Sequence, residues 1–319
     1  MNTSSILSPL NTHSNDYSSQ SNQSSQSSRP AAIAMLVNEN VLDDMRIFMD
    51  SLQLWTPFPP PLYIYTTRSC VSALQALKKK LTYEGRMFFN TALDTYGILT
   101  RTQMEHAPSK KGYANLFYDF TLEKTHCMEW ALEDIPEINK KQGVLFCDAD
   151  ICWFGPCPTI PSLGYSLAVS PHEICPSDEK KYGIYNAGYL WTNTADLMKQ
   201  WRDYTQTSHF YEQASIETLV NSCDPKTVFR FGVHHNYGWW RMFQSYLPPS
   251  LRQSQWSIFR SQNGEHSGLV VDGAPLVSIH THFHTNDMTT NMFNVYVRDM
   301  LKKLQKQPKT RTLSHILSK

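Results

Sequence analysis

Val144-Leu145-Phe146-Cys147-Asp148-Ala149-Asp150-Ile151 sets four apolar residues directly ahead of two carboxylates. A short apolar run of this kind suits a strand buried on both faces. Carboxylates are costly inside such a strand, so the two acids belong just past its end. Two Asp at i and i+2 repel each other unless a cation or hydrogen-bond donors lie between them. A hard divalent cation takes oxygen ligands and commonly shares them with substrate phosphates. The triplet therefore suits Mn²⁺ or Mg²⁺ held against a diphosphate. The plainer alternative is a strand-end turn with solvated Asp.

Reading outward from this stretch, Ile33 to Val37 is a second buried-strand run, followed by Asn38 to Asn40. A helical pattern then runs through Val41, Met45, Phe48, Met49 and Leu52. Leu62 to Tyr65 is a strand after the Pro59-Pro60-Pro61 turn. Ser72 to Leu81 and Leu116 to Leu132 read as helices. This alternation predicts an α/β protein with a mainly parallel sheet and helices on both faces. Ligands of such sheets bind beyond the carboxyl ends of the strands, where Asp148 and Asp150 fall. Beyond them, Tyr165 to Val169, Tyr189 to Trp191 and Leu276 to Ile279 read as strands. Ala195 to Tyr204, Glu212 to Val220 and Asn291 to Leu304 read as helices. No internal repeat is present.

Residues 1–30 are dominated by Ser, Asn and Gln, which predicts a disordered tail. A single domain is expected over 31–305, with a nucleotide-binding half (31–150) and an acceptor-binding half (151–305). A basic tail is expected over 306–319. With 41% hydrophobic residues the chain has ample material for a core. The formal net charge of +1 argues against nucleic acid as a partner. No apolar run of membrane-spanning length and no signal peptide are read. Seven cysteines on such a chain read as reduced thiols in a cytoplasmic setting. Cys147, Cys152 and Cys157 are too widely spaced for a zinc site and read as packed or free thiols.

From Leu122 to Pro156, with Lys124, Ala131-Leu132 and LFCDADICWFGP, the chain resembles GT-A-fold glycosyltransferases. The likeness continues at Tyr185-Asn186-Ala187-Gly188-Tyr189, at Trp201 and Tyr204, at Tyr211-Glu212-Gln213, and at His280. It covers roughly residues 33–285 and looks more like bacterial or large-virus members, whose setting is the cell or host cytoplasm. It implies a Rossmann-like sheet and transfer of a sugar from a nucleotide-diphosphate sugar to a hydroxyl of a glycan or glycoconjugate. A UDP-sugar is favoured, with a GDP-sugar as the other candidate. By the same resemblance Asp150 and His280 would hold the metal, and Asp148 would contact ribose or the metal. Asn186 and Gly188 would line the sugar pocket, and Gln213 is the partner of Glu212 in the acidic residue–Gln segment. The late metal-binding His leans toward retention of anomeric configuration. Asn38 and Thr66 would meet the nucleotide, on fold placement.

Several residues admit two readings. Glu212 is either the carboxylate beside the reacting carbon or a solvated helix start. Lys124 approaches the phosphates or sits on a helix surface. Trp239 and Trp240 form an acceptor platform or pack a core loop. In His280-Thr281-His282-Phe283-His284, alternate residues share a face, and His282 competes with His280 as ligand. A metal-dependent phosphohydrolase is one rival function. The haloacid dehalogenase pattern needs Thr two residues after the second Asp, where this chain has Cys152. A dinuclear hydrolase would carry its H-x-H early in the fold. A non-catalytic nucleotide-sugar binding module is the third.

Overall fold

The computed structural model describes residues 27–161, 164–260, 267–304 and 306–318. The elements over the first half are β1 (Ala32–Val37), α1 (Leu42–Trp55), β2 (Leu62–Thr66), α2 (Arg68–Leu81), β3 (Met87–Asn90), α3 (Arg101–Glu105), α4 (Leu116–Asp134) and β4 (Val144–Cys147). They continue with β5 (Ile151–Trp153), β6 (Leu167–Pro171), α5 (Pro176–Tyr182), β7 (Tyr185–Thr192), α6 (Ala195–Thr205), α7 (Tyr211–Ser222), β8 (Val228–Arg230), β9 (Tyr237–Gly238) and α8 (Trp239–Phe243). The chain closes with α9 (Pro249–Ser254), β10 (Trp256–Arg260), β11 (Ser267–Val271), β12 (Ala274–Pro275), β13 (Ser278–His280), α10 (Met288–Lys302) and α11 (Pro308–Ile316).

Seven strands form the central sheet in the order β8-β6-β7-β4-β1-β2-β3. The neighbours β4, β1, β2 and β3 run parallel, as do β6 and β8. Only β7 runs against its neighbours. The sheet is thus mostly parallel, and helices cover both of its faces. Alternation along β1 shows why. Ala32 and Ala34 join the cluster with Met128, Phe146 and Trp201, under α4 and α6. Ile33, Met35 and Val37 join the opposite cluster with Met45, Phe48 and Trp153, under α1. A strand with apolar residues at every position has two faces to bury, so both must be covered.

The sequence boundaries hold within a few residues for most elements, with physical reasons for the departures. Helix α2 begins at Arg68, ahead of the apolar periodicity, because the Thr67 hydroxyl accepts from Cys70 N at 3.2 Å and caps it. Strand β7 spans eight buried residues, although Asn186 and Gly188 disguise its first half. The stretch read as a basic tail carries α11, whose Leu313 and Ile316 enter a third core cluster with Phe293 and Val297 of α10. The Ser/Asn/Gln-rich tail falls almost wholly outside the described residues; Ser27–Ser28 pair with Ile160–Pro161. All seven cysteines are free thiols, and burial pushes Cys152 and Cys157 up to about 12. Among the described residues no helix is long and apolar enough to cross a membrane.

A second, three-stranded sheet, β9-β13-β5, stands at the carboxyl edge of the first. Its β5 is antiparallel to β13, with Ile151 opposite His280. This register carries a histidine from late in the chain to the two aspartates.

Candidate functional site

Asp148 follows β4 immediately, at the common carboxyl edge of the parallel strands. Its backbone is tied to β7 by a 2.9 Å bond from Asp148 N to Gly188 O. Asp150 is tied to the second sheet by Thr281 N donating to its carbonyl at 3.0 Å. His280 Nε2 then lies 3.1 Å from Asp150 Oδ1 and 3.8 Å from Asp148 Oδ2. One donor atom from each of Asp148, Asp150 and His280 falls within 4.8 Å of the others. Two carboxylate oxygens and an imidazole nitrogen suit Mn²⁺, and Mg²⁺ less well.

Two observations test the fit. Gly188 lies directly beneath the ligands. A Cβ there would stand 2.2 Å from Asp148 Oδ2 and 2.6 Å from His280 Cε1, so the cradle admits no side chain. The ionisation of Asp150 is also right for a ligand. Burial alone would favour its neutral form, but His280 and His282 beside it hold the carboxyl below its ordinary range.

Behind His280 runs a chain of buried polar groups whose proton positions follow from its far end. The Gly183 carbonyl can only accept, so His172 Nδ1, 2.8 Å away, donates to it. His172 Nε2 is then an acceptor, facing Asn186 Nδ2 at 3.4 Å. That places Asn186 Oδ1 to accept from Gly188 N and Asn236 Nδ2, both at 3.1 Å. Asn236 Nδ2 also reaches Ser170 Oγ at 3.1 Å. Asn236 Oδ1 is left to accept from His280 Nδ1 at 3.2 Å. With Nδ1 turned to Asn236, Nε2 is the nitrogen that faces the aspartates and that a metal there would take as its ligand. His172 is buried, and desolvation lowers it to about 4, which keeps the chain neutral.

On the other side of Asp148, Lys124 Nζ stands 3.4 Å from Asp148 Oδ1 and 2.9 Å from Glu212 Oε1. Burial would weaken this ammonium, but the two carboxylates offset it and raise its pKa. Lys124 is thus a buried tie between the triplet and α7. Glu212 is 3% exposed, and its carboxylate is engaged by that lysine. Tyr211, one residue earlier, has a φ of 42° and sits in the left-handed region that non-glycine residues rarely enter.

Two clefts flank the site. The first, of about 310 Å³, is lined by Asn38, Arg101, Lys124, Asp148, Asp150 and His282, among others. The second, of about 610 Å³, is lined by Asn186, Phe210, Gln213, Trp239 and Trp240, with Arg101 shared. Asn38 fronts the first cleft and also caps the turn over Glu39–Val41. Thr66 ends β2, fully buried, and is not among the lining residues. Gln213 Nε2 donates to Tyr182 O at 2.9 Å. Trp240 meets His280 edge-on, with ring centroids 5.0 Å apart. His282 lies between Asp44 (2.8 Å) and Asp150 (3.5 Å), and His284 approaches Arg46. Of the two competing histidines, His280 is the one grouped with both aspartates.

Sequence reasoning missed His172, Ser170, Asn236 and Asp44. Asn186 was read as a pocket residue, and it also belongs to the buried chain. Asn236 lies 50 residues from Asn186 and 44 from His280 along the chain, so no local spacing marks it.

No family model matches the chain, and no curated protein matches it in sequence. Among solved structures it is similar to mouse xyloside xylosyltransferase 1, at 12% identity and a TM-score of 0.43 over 66% of this chain and 90% of that one. It is also similar to the glycosyltransferase GlyE of Streptococcus pneumoniae TIGR4, at 12% identity and 0.49, over 91% of this chain and 63% of that one. A third is the galactosyltransferase LgtC, at 13% identity and 0.43, over 83% and 94% respectively. These neighbours are GT-A glycosyltransferases. The chemistry must follow from this chain's own residues.

Proposed function

We propose that the protein is a divalent-metal-dependent glycosyltransferase that moves a sugar from a nucleotide-diphosphate sugar to a hydroxyl of a glycan or glycoconjugate. The observation that carries this is the convergence of Asp148, Asp150 and His280 beside a cleft at the carboxyl edge of the sheet. Such a ligand set leaves coordination positions open for phosphate oxygens. Bound there, Mn²⁺ would act as a Lewis acid on the charge that develops on the leaving diphosphate.

The chain's own residues supply the rest. The Lys124 tie orients Asp148, and the buried amide chain orients His280. Asn38 and Arg101 front the first cleft, which suits the nucleotide. Trp239, Gln213 and Asn186 front the second, which suits the sugar and acceptor, since sugar C–H faces pack on aromatic rings. No carboxylate is among the described residues lining that second cleft. Glu212 is occupied by Lys124, which argues against it as a free general base. This supports retention, with the acceptor proton passing to the leaving phosphate, and a UDP-sugar remains the favoured donor.

The test is a panel of UDP-, GDP- and CMP-sugars with Mn²⁺, followed by thermal shift and nucleotide release. Stabilisation with release is expected for one donor class. No stabilisation by any nucleotide contradicts the proposal. Phosphate release from simple phosphoesters would indicate a hydrolase, and stabilisation without turnover a binding module.

A further inference from the structure

A third cavity, of about 330 Å³, lies between α10 and α11 and shares no residue with either cleft. Its walls are Arg298, Lys302, Arg311, His315, Ser314, Ser318 and Leu301. Three permanent cations and an imidazole converge there, and no carboxylate lines it among the described residues. On a chain of net charge +1 that is a marked local excess.

The groups are poorly satisfied from within. Arg298 is partly buried, and burial lowers its pKa. Its guanidinium has five N–H donors, and among the described residues its hydrogen bonds leave from Nη2, to the carbonyls of Phe283 (3.3 Å) and Leu317 (3.2 Å). Ser314 Oγ is buried and has no hydrogen-bond partner among the described residues. Lys302 touches Asp299 at 2.8 Å, but both side chains are more than half exposed, and such a pair holds weakly. A half-buried guanidinium, a buried free hydroxyl and two further cations fit a tetrahedral oxyanion. Arginine forks match phosphate oxygens in pairs, and the hydroxyl supplies a donor between them.

We infer that the cavity between α10 and α11 is a binding site for a phosphoryl group, separate from the transfer site. Two sources carry that chemistry, a free phosphate ion and the phosphomonoester headgroup of an anionic lipid.

The experiment uses the full chain. Inorganic phosphate is titrated by calorimetry, and binding to phosphatidic acid vesicles is measured by sedimentation against pure phosphatidylcholine. Binding to either phosphate source is expected, weakened about tenfold by Arg311→Gln and further by Arg298→Gln. Because Arg298 also holds two backbone carbonyls, Arg311→Gln/Lys302→Gln serves as the variant at exposed positions, with melting temperature as the control for folding. Saturation by phosphate alone identifies a free-anion site, and retention on phosphatidic acid vesicles only identifies a lipid site. No binding to either, or affinity unchanged in the exposed double variant, overturns the inference.

Discussion

The rim of the site and the wall behind it are built from different kinds of residue. At the rim, Asp148, Asp150 and His280 are charged or metal-ready groups at or just past strand ends. Behind it, His172, Asn186 and Asn236 are buried neutral groups, at most 7% exposed. Their hydrogen bonds run to one another, to Ser170, to His280 and to the backbone. The rim holds the ligand atoms. The wall decides which nitrogen of His280 carries a proton. Chemistry that meets ligand leaves marks in local sequence, whereas chemistry that sets a tautomer is spread over the fold.

The largest expected effect breaks the rim. Asp150→Ala should lower metal-dependent nucleotide release by about a thousandfold, since a metal contributes several kcal/mol of charge stabilisation. Steady-state assays with and without Mn²⁺ measure this, and circular dichroism should show the fold intact.

Acid probes the wall. His172 has an ordinary pKa near 6.5 and is held at about 4 by burial. Between those values the unfolded chain binds a proton that the folded chain refuses. The stability from keeping His172 neutral is therefore fully present above pH 6.5 and is lost as pH falls toward 4. The loss reaches about 3 kcal/mol. His235, lowered to about 4 by burial and by His234, acts in the same direction. Urea unfolding at pH 7, 5.5 and 4.5 follows the decline, and His172→Phe should remove its share and leave that of His235.

A subtler break separates wall from rim. Asn236→Leu removes the acceptor for His280 Nδ1 and should weaken Mn²⁺ binding by about 10–100-fold. Mg²⁺, which prefers oxygen, should lose less, so the Mn²⁺/Mg²⁺ preference falls. Asn236→Asp keeps the acceptor and should retain most of the preference. Equal losses for both metals would make Asn236 a packing residue only. Smaller still, Trp239→Ala should raise the acceptor KM by about tenfold with kcat little changed, if the ring is the platform it fronts.

Much of the fold was legible from Val144 to Ile151 outward. Buried parallel strands read as unbroken apolar runs, and β1, β2 and β4 do so. The direction of β7 was not legible, because residue patterns show burial and not polarity. Nor was the pairing of β5 with β13 legible. It sets Cys152 opposite Ile279 and Trp153 opposite Ser278, residues from distant parts of the chain whose register only tertiary contact fixes. Lys124 was legible as a site residue but not in its role. A helix position shows that a lysine can face the sheet, and only the fold shows that Glu212 waits on its far side. Strand β3, half-buried along its length, carries no strong alternation.

The central claim is that Asp148, Asp150 and His280 form one cation site serving a nucleotide. Calorimetric titration of Mn²⁺ into the protein, with UDP and then GDP present, tests it most directly. One Mn²⁺ per chain is expected, tightened by the nucleotide and abolished in both Asp150→Ala and His280→Ala. Mn²⁺ binding that survives both substitutions, or none in the unaltered protein with either nucleotide, would contradict the account.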